Sequence, residues 1–430
     1  MRSDVLLVVL FFMKLSIDFL SPVRAANFLL TSCAAIGVCF VLLAQPRTLA
    51  RVGMAGILLA LSYLIMCVWW YLLSDDLDSF LRYVSLVPIY YSVKLLVLNL
   101  SEEKIAAVCR IVLNCFIFFF CISFVVSVGV ANPLRRQFFN FEHANILGSY
   151  ALCSLAFVYA INSVSRARVR QKVIPVVMCM LSTSTGASIL SLAAFLNMRK
   201  FGFISIIRLL LVGVIGVGVS GYVIYAMDIE LFSKIFGPFQ LIWNGAMDQV
   251  VELARLGRPI QELGDEYQSS LTWRFYAYVI FGDFIKSLPL QELLFGLGFG
   301  GYTRVWGGMM PHNDFLLVLV DFGLLALVAL TLAIGIGLRL VWKRHRAWVP
   351  IVFVLVFRLS LENNISSFYL VSLIVMTVAF AVASLQIVTS HQRARALAAR
   401  IIAEGSARRC GERKVGQPLG GRVRRSFGPA

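Results

Sequence analysis

His312, Asn313 and Asp314 stand in a row where a long polar segment meets an apolar run, just after Trp306-Gly307-Gly308 and Pro311. Of the four histidines, His345 and His391 lie in basic stretches, which leaves His143 and His312 for the opposite face. An imidazole titrates near neutral pH and can take a proton from a hydroxyl. The same Pro-His-Asn-Asp order also makes a helix start, with Asn313 or Asp314 satisfying the first free backbone N–H groups. Arg274 follows Trp273 in an otherwise apolar stretch that begins at Leu271. A guanidinium there must reach water or meet an anion, and its fork suits the paired oxygens of a diphosphate. Snorkelling to lipid headgroups is the alternative use. Arg304, between Tyr302 and Trp306, is a second candidate cation. Arg135 and Arg136, ahead of the aromatic Phe138-Phe139-Asn140-Phe141, form a third group with the nearby His143.

Other patterns carry less. Gly296-Leu-Gly-Phe-Gly-Gly301 fits G-x-G-x-x-G, but no strand precedes it and no βαβ unit surrounds it, so a tight turn is the better reading. Asp76-Leu-Asp78 resembles a metal–sugar-nucleotide pair, yet it sits in a six-residue turn whose acidity topology explains. Lys14 and Asp18 are four apart and are expected to pair on one helix face. Asp321 follows Asp314 by seven residues, about two turns, so both can face one cavity.

The elements that position these residues are membrane helices. Of 430 residues, 60% are hydrophobic and 14% charged, with a mean hydropathy of +0.84. A soluble domain of that length cannot hide so much apolar surface. The expectation is an all-α, polytopic integral membrane protein of about twelve transmembrane helices with one large periplasmic loop. Eight of nine cysteines lie in apolar runs with no C-x-x-C pair, so they read as packing residues. The net charge of +17 is concentrated in short gaps between apolar runs and in a tail, His391 to Ala430, with ten Lys or Arg against Glu404 and Glu412. That distribution orients a membrane protein and brings the tail to anionic membrane lipids. It gives no folded basic surface, so no nucleic acid is expected as a partner.

Five regions follow: N-terminal transmembrane helices over 1–130, central ones over 131–227, a periplasmic loop over 228–312, C-terminal transmembrane helices over 313–387, and a basic cytoplasmic tail over 388–430. The segment 173–197 has basic flanks and a polar middle, Ser182-Thr-Ser-Thr-Gly-Ala-Ser188, and reads as two short helices meeting at that tip. Both termini are then cytoplasmic, and the loop 228–312, with six Lys or Arg against nine Asp or Glu, lies outside. Within it, 238–256 reads as an amphipathic helix on the membrane surface or on the bundle, and 273–288 as a second.

Three stretches carry a resemblance: S-S-L-T-W-R ending at Arg274, L-L-F-G-L-G-F-G ending at Gly300, and P-H-N-D-F-L-L-V-L-V-D-F-G-L-L-A-L from Pro311. Together they resemble the O-antigen ligase and polymerase superfamily, which includes the Wzy-type polymerases of O-antigen, capsule and exopolysaccharide. The resemblance covers residues 130 to 385. It implies a membrane glycosyltransferase that takes glycan from undecaprenyl diphosphate, facing the periplasm from the bacterial inner membrane. It implies no cofactor, neither metal nor ATP, because the diphosphate is itself a good leaving group. It implies that His312 and Arg274 are catalytic, His312 on the acceptor hydroxyl and Arg274 on the diphosphate, with Asn313 orienting the histidine or a sugar. Arg304, Arg136, Arg135, Asp314 and His143 complete the expected substrate-binding set. A chain-length regulator and a flippase are the protein partners that such a role implies. Members often carry Ser-Arg-Gly at the hairpin tip, where this chain reads Ser184-Thr185-Gly186. The resemblance favours a polymerase over a ligase acting on lipid A core; a polysaccharide-related transporter is the reading from another class.

Overall fold

A computed structural model describes residues 2–20, 24–44, 46–130, 144–165, 167–182, 184–198, 245, 247–263, 270–305, 310–360, 365, 367–368 and 370–390. Among them, every regular element is helical. Eight helices form the first half: α1 (Ser3–Leu20), α2 (Arg24–Leu43), α3 (Pro46–Ser74), α4 (Leu77–Leu98), α5 (Glu102–Val130), α6 (Ala144–Val164), α7 (Val169–Leu181) and α8 (Thr185–Met198). The second half adds α9 (Met247–Arg255), α10 (Ser270–Ser287), α11 (Leu290–Phe295), α12 (Asp314–Arg344), α13 (Val349–Leu359) and α14 (Leu370–Ser390). Six of the described helices are long and apolar enough to cross a membrane: α3, α4, α5, α6, α12 and α14. Arms of α2, α8 and α13 are apolar but shorter. The apolar run at 203–227 and the tail beyond Ser390 lie outside the described residues.

The centre of the bundle is α6, apolar on every side and buried from Leu147 to Ile161. It packs on α5, α7 and α8, while α1 lies against α5. Phe11, Phe157 and Phe380 meet there with ring centroids 5.0–6.3 Å apart. At the periphery, α3 turns Leu58, Leu59, Ile65 and Leu72 outward, and such a belt of exposed apolar side chains is what lipid covers. On α1, Lys14 Nζ meets Asp18 Oδ1 at 2.7 Å, and the Tyr150 hydroxyl of α6 donates to the other oxygen. The expected pair therefore forms, and it is bolted to the central helix.

The bundle has two chemically different ends. At one, Lys104 reaches Asp4 (3.6 Å), Arg110 donates to Ser165 (3.1 Å) and His345 meets Thr389 (2.6 Å). Arg168, Arg170 and Lys172 open α7 at the same end. The other end carries Asp75, Asp76 and Asp78 and the turn between α7 and α8. Helix α9 begins at Met247 and packs on α10 through Val250, Ala254, Tyr276, Ile280 and Phe281. Residues 247–255 of the expected amphipathic helix thus form a helix whose apolar strip packs on α10. Residues 238–244 lie outside the described set.

Candidate functional site

Asn313 adopts an extended backbone and caps α12, its Oδ1 accepting from the N–H groups of Phe315 (2.9 Å) and Leu316 (3.2 Å). The side chain expected to orient His312 or a sugar thus starts the helix. His312, just before it, is half-buried with φ +49°, a left-handed conformation that costs a non-glycine residue about 1–3 kcal/mol. Buried Pro311 on one side and the cap on the other hold it there. Asp314 is fully buried, and its Oδ1 accepts from Ile365 N–H at 2.8 Å. The carboxylate therefore ties the α13–α14 connection to the start of α12.

Gly323 interrupts α12 at φ +83°, ψ 172°, and Gly296 in the facing loop has nearly the same angles, +83° and 177°. The break releases the carbonyls of Val320 and Asp321, which accept from Leu297 N–H (3.0 Å) and Gly298 N–H (2.9 Å). A Cβ on either Gly296 or Gly323 would lie 2.4–2.6 Å from the other strand's backbone. The G-x-G-x-x-G stretch is thus a strut on a broken membrane helix, consistent with the turn expected of it. Irregular backbone at this depth is tolerated when protein satisfies it.

The strut closes one side of a polar cleft of about 210 Å³. Asp76, Arg82 and Tyr83 of the α3–α4 region face Tyr302, Thr303 and Asp321 across it, and Ile365 completes a wall. Asp321 is buried and accepts from Tyr302 N–H at 2.8 Å. Burial, and then the Asp321 and Asp76 carboxylates, push the Tyr302 phenol above its ordinary pKa. Tyr83 stacks on Phe299 of the strut (5.0 Å) and donates to Ile365 O at 3.4 Å. Asp321 lines this cavity, whereas Asp314 is turned onto the Ile365 backbone at its edge, so the two carboxylates do not share it as the spacing allowed.

Arg358, on the last turn of α13, is buried. Its Nε donates to Ser149 Oγ on α6 at 2.9 Å and its Nη2 to Ser184 Oγ at the α7–α8 tip at 3.4 Å. Gly148 allows this approach: a Cβ there would lie 2.7 Å from Ala187 Cβ and 2.8 Å from Ser184 Cβ. Beneath Arg358 runs an almost wholly apolar cavity of about 390 Å³ between α6, α12, α13 and α14, reaching down to Trp348. From the sequence, Arg358 reads only as an intramembrane charge that a transporter would place along its pathway. The signal was a lone arginine in an apolar helix, but its hydrogen-bond partner Ser184 is 174 residues away.

Arg274 sits in the second turn of α10, half-buried. One turn on, the Tyr278 hydroxyl lies 3.5 Å from Ser360 O, which brings that part of α10 to the end of α13 that bears Arg358. Arg304 ends the short turn Gly301–Arg304 and is exposed, next to Thr303 of the cleft. Arg135, Arg136 and His143 lie outside the described residues. The arrangement offers an imidazole, buried and half-buried guanidinium groups and a polar cleft at one end of a membrane bundle. Compared with protein-family models and with curated proteins, the chain matches none.

Proposed function

We propose that the chain is a polysaccharide polymerase, a membrane glycosyltransferase that moves glycan from undecaprenyl diphosphate to a hydroxyl of a lipid-linked repeat unit. In this reading the twelve-span topology holds, with the basic end of the bundle cytoplasmic and the acidic end periplasmic. The observation that carries the reading is Arg358 bridging Ser149 of α6 and Ser184 of the α7–α8 tip. The resembled superfamily often has an arginine in the tip itself, and here α13 supplies a guanidinium to the same place. A buried arginine in a membrane bundle marks a functional site by default, and its planar fork suits phosphate oxygens.

The chemistry is a displacement at the anomeric carbon. The acceptor oxygen bonds to that carbon as its bond to the diphosphate breaks; the acceptor proton passes to His312, and the negative leaving group is held by Arg274 and Arg358. The strained backbone of His312 supports a role beyond capping, since Asn313 alone provides the cap. The test is polymer formation in cells lacking the native gene. With Arg274→Ala or His312→Ala present in the membrane at normal level, long-chain product disappears. Normal long chains from both variants end the proposal, and long glycan building up on the lipid carrier in the deletion strain points instead to a ligase.

A further inference from the structure

The cleft between α4, the glycine strut and α12 is lined by none of His312, Arg274 and Arg358, and it gathers polar and aromatic groups in one concavity of about 210 Å³. That is below the range of about 300–1,000 Å³ found for drug-sized molecules, so it suits one small ring. Its chemistry is mixed in a particular way. Asp76 and Asp321 bring carboxylate oxygens, Arg82 brings donors, Thr303 a hydroxyl, and Tyr83 and Tyr302 aromatic surface. The buried Asp321 is already held by the Tyr302 backbone, and Asp76 by the N–H of Ser79 at 3.0 Å, so both are oriented in advance. Arg82 is likewise fixed, its Nε donating to Asp78 at 3.1 Å.

We infer that this cleft binds one pyranose ring, Asp321 and Asp76 accepting hydrogen bonds from ring hydroxyls, with Arg82 donating and the tyrosines covering the C–H face. A sugar is the ligand class that needs acceptors, donors and an apolar wall within one ring's width. A cation fits less well, because among the described residues two carboxylates face the cleft and Arg82 shares it. A lipid chain fits the apolar cavity under Arg358 instead. Position assigns the ring a role: Ile365 lines the cleft and its N–H is held by Asp314, two residues from His312. The bound ring is therefore assigned to the acceptor repeat unit, held near the start of α12. That last step rests on the polymerase reading; sugar binding itself rests on the cleft alone.

The experiment uses the purified full chain in lipid nanodiscs and saturation-transfer NMR with free glucose, galactose, mannose, rhamnose and N-acetylglucosamine as probes. Signal from at least one sugar is expected, abolished by Thr303→Trp, which fills the cleft from an exposed position. Asp321→Asn weakens it about tenfold or more, the effect of replacing one acceptor oxygen with a donor. No signal from any sugar, or equal signal from Thr303→Trp, overturns the inference. His312 does not line the cleft, which separates the two claims. Signal kept in His312→Ala with polymer lost supports both. Signal unchanged in Thr303→Trp while His312→Ala loses polymer sinks the subsite and leaves the polymerase. Signal lost in Thr303→Trp while His312→Ala and Arg274→Ala make normal polymer keeps the sugar site and sinks the polymerase.

Discussion

Arg358 Nε lies 2.9 Å from Ser149 Oγ, so a guanidinium from the penultimate described helix is anchored on the central one. Replacing it separates charge from geometry. Arg358→Lys keeps a cation but loses the fork that spans Ser149 and Ser184, and is expected to retain membrane abundance with reduced polymer. Arg358→Ala is expected to abolish long chains. Immunoblots of membranes beside polymer gels read both, and full activity in Arg358→Ala removes this residue from the diphosphate site.

For His312, loss of a proton acceptor is expected to slow transfer by about 10²–10⁴-fold, the usual contribution of general acid–base catalysis. His312→Asn relieves less strain than His312→Gly, since glycine adopts the left-handed backbone freely. A more stable but inactive His312→Gly is therefore the expected pairing, measured by thermal unfolding in detergent and by polymer assay.

Gly296 and Gly323 leave no space for a side chain. Gly296→Ala or Gly323→Ala should destabilise severely, since each adds a backbone clash to a disfavoured positive φ. Gly337, in the second half of α12, has open space around it. Gly337→Ala should be neutral or stabilising by about 0.5–1 kcal/mol, the helix-interior difference between the two residues. Equal melting temperatures for all three would contradict the strut.

The Lys14–Asp18–Tyr150 cluster gives a stability test independent of function. Asp18→Leu alone should cost about 3–5 kcal/mol by stranding a buried ammonium, whereas Lys14→Met with Asp18→Leu should recover most of it. Unfolding of the purified single and double variants decides between the cost of burying charge and a need for it.

Orientation can be read with single cysteines in a background lacking all nine native ones, Cys410 of the tail included. Asp75→Cys should react with an impermeant maleimide from the periplasmic side, and Arg346→Cys only after permeabilisation. The reverse pattern would turn the proposed site to the cytosol.

Much of this protein is written locally. Apolar runs mark the helices, the polar Ser182–Ser188 stretch divides α7 from α8, and the four-residue spacing of Lys14 and Asp18 makes their pairing readable. Each rests on neighbours within a few turns, where periodicity and composition carry the information. The helix start at Asn313 belongs to the same class.

Only the tertiary structure decided which apolar faces meet. Among lipid-soluble helices the outward and inward surfaces are alike in hydrophobicity, so the choice falls to small residues and hydrogen bonds that periodicity does not encode. Gly148 lets α6 touch the α7–α8 tip, Gly296 and Gly323 let the loop enter the break in α12, and Arg358 reaches Ser184 from far along the chain. Asp321 and Asp76 face one cleft for the same reason: the strut, not their sequence spacing, carries one to the other.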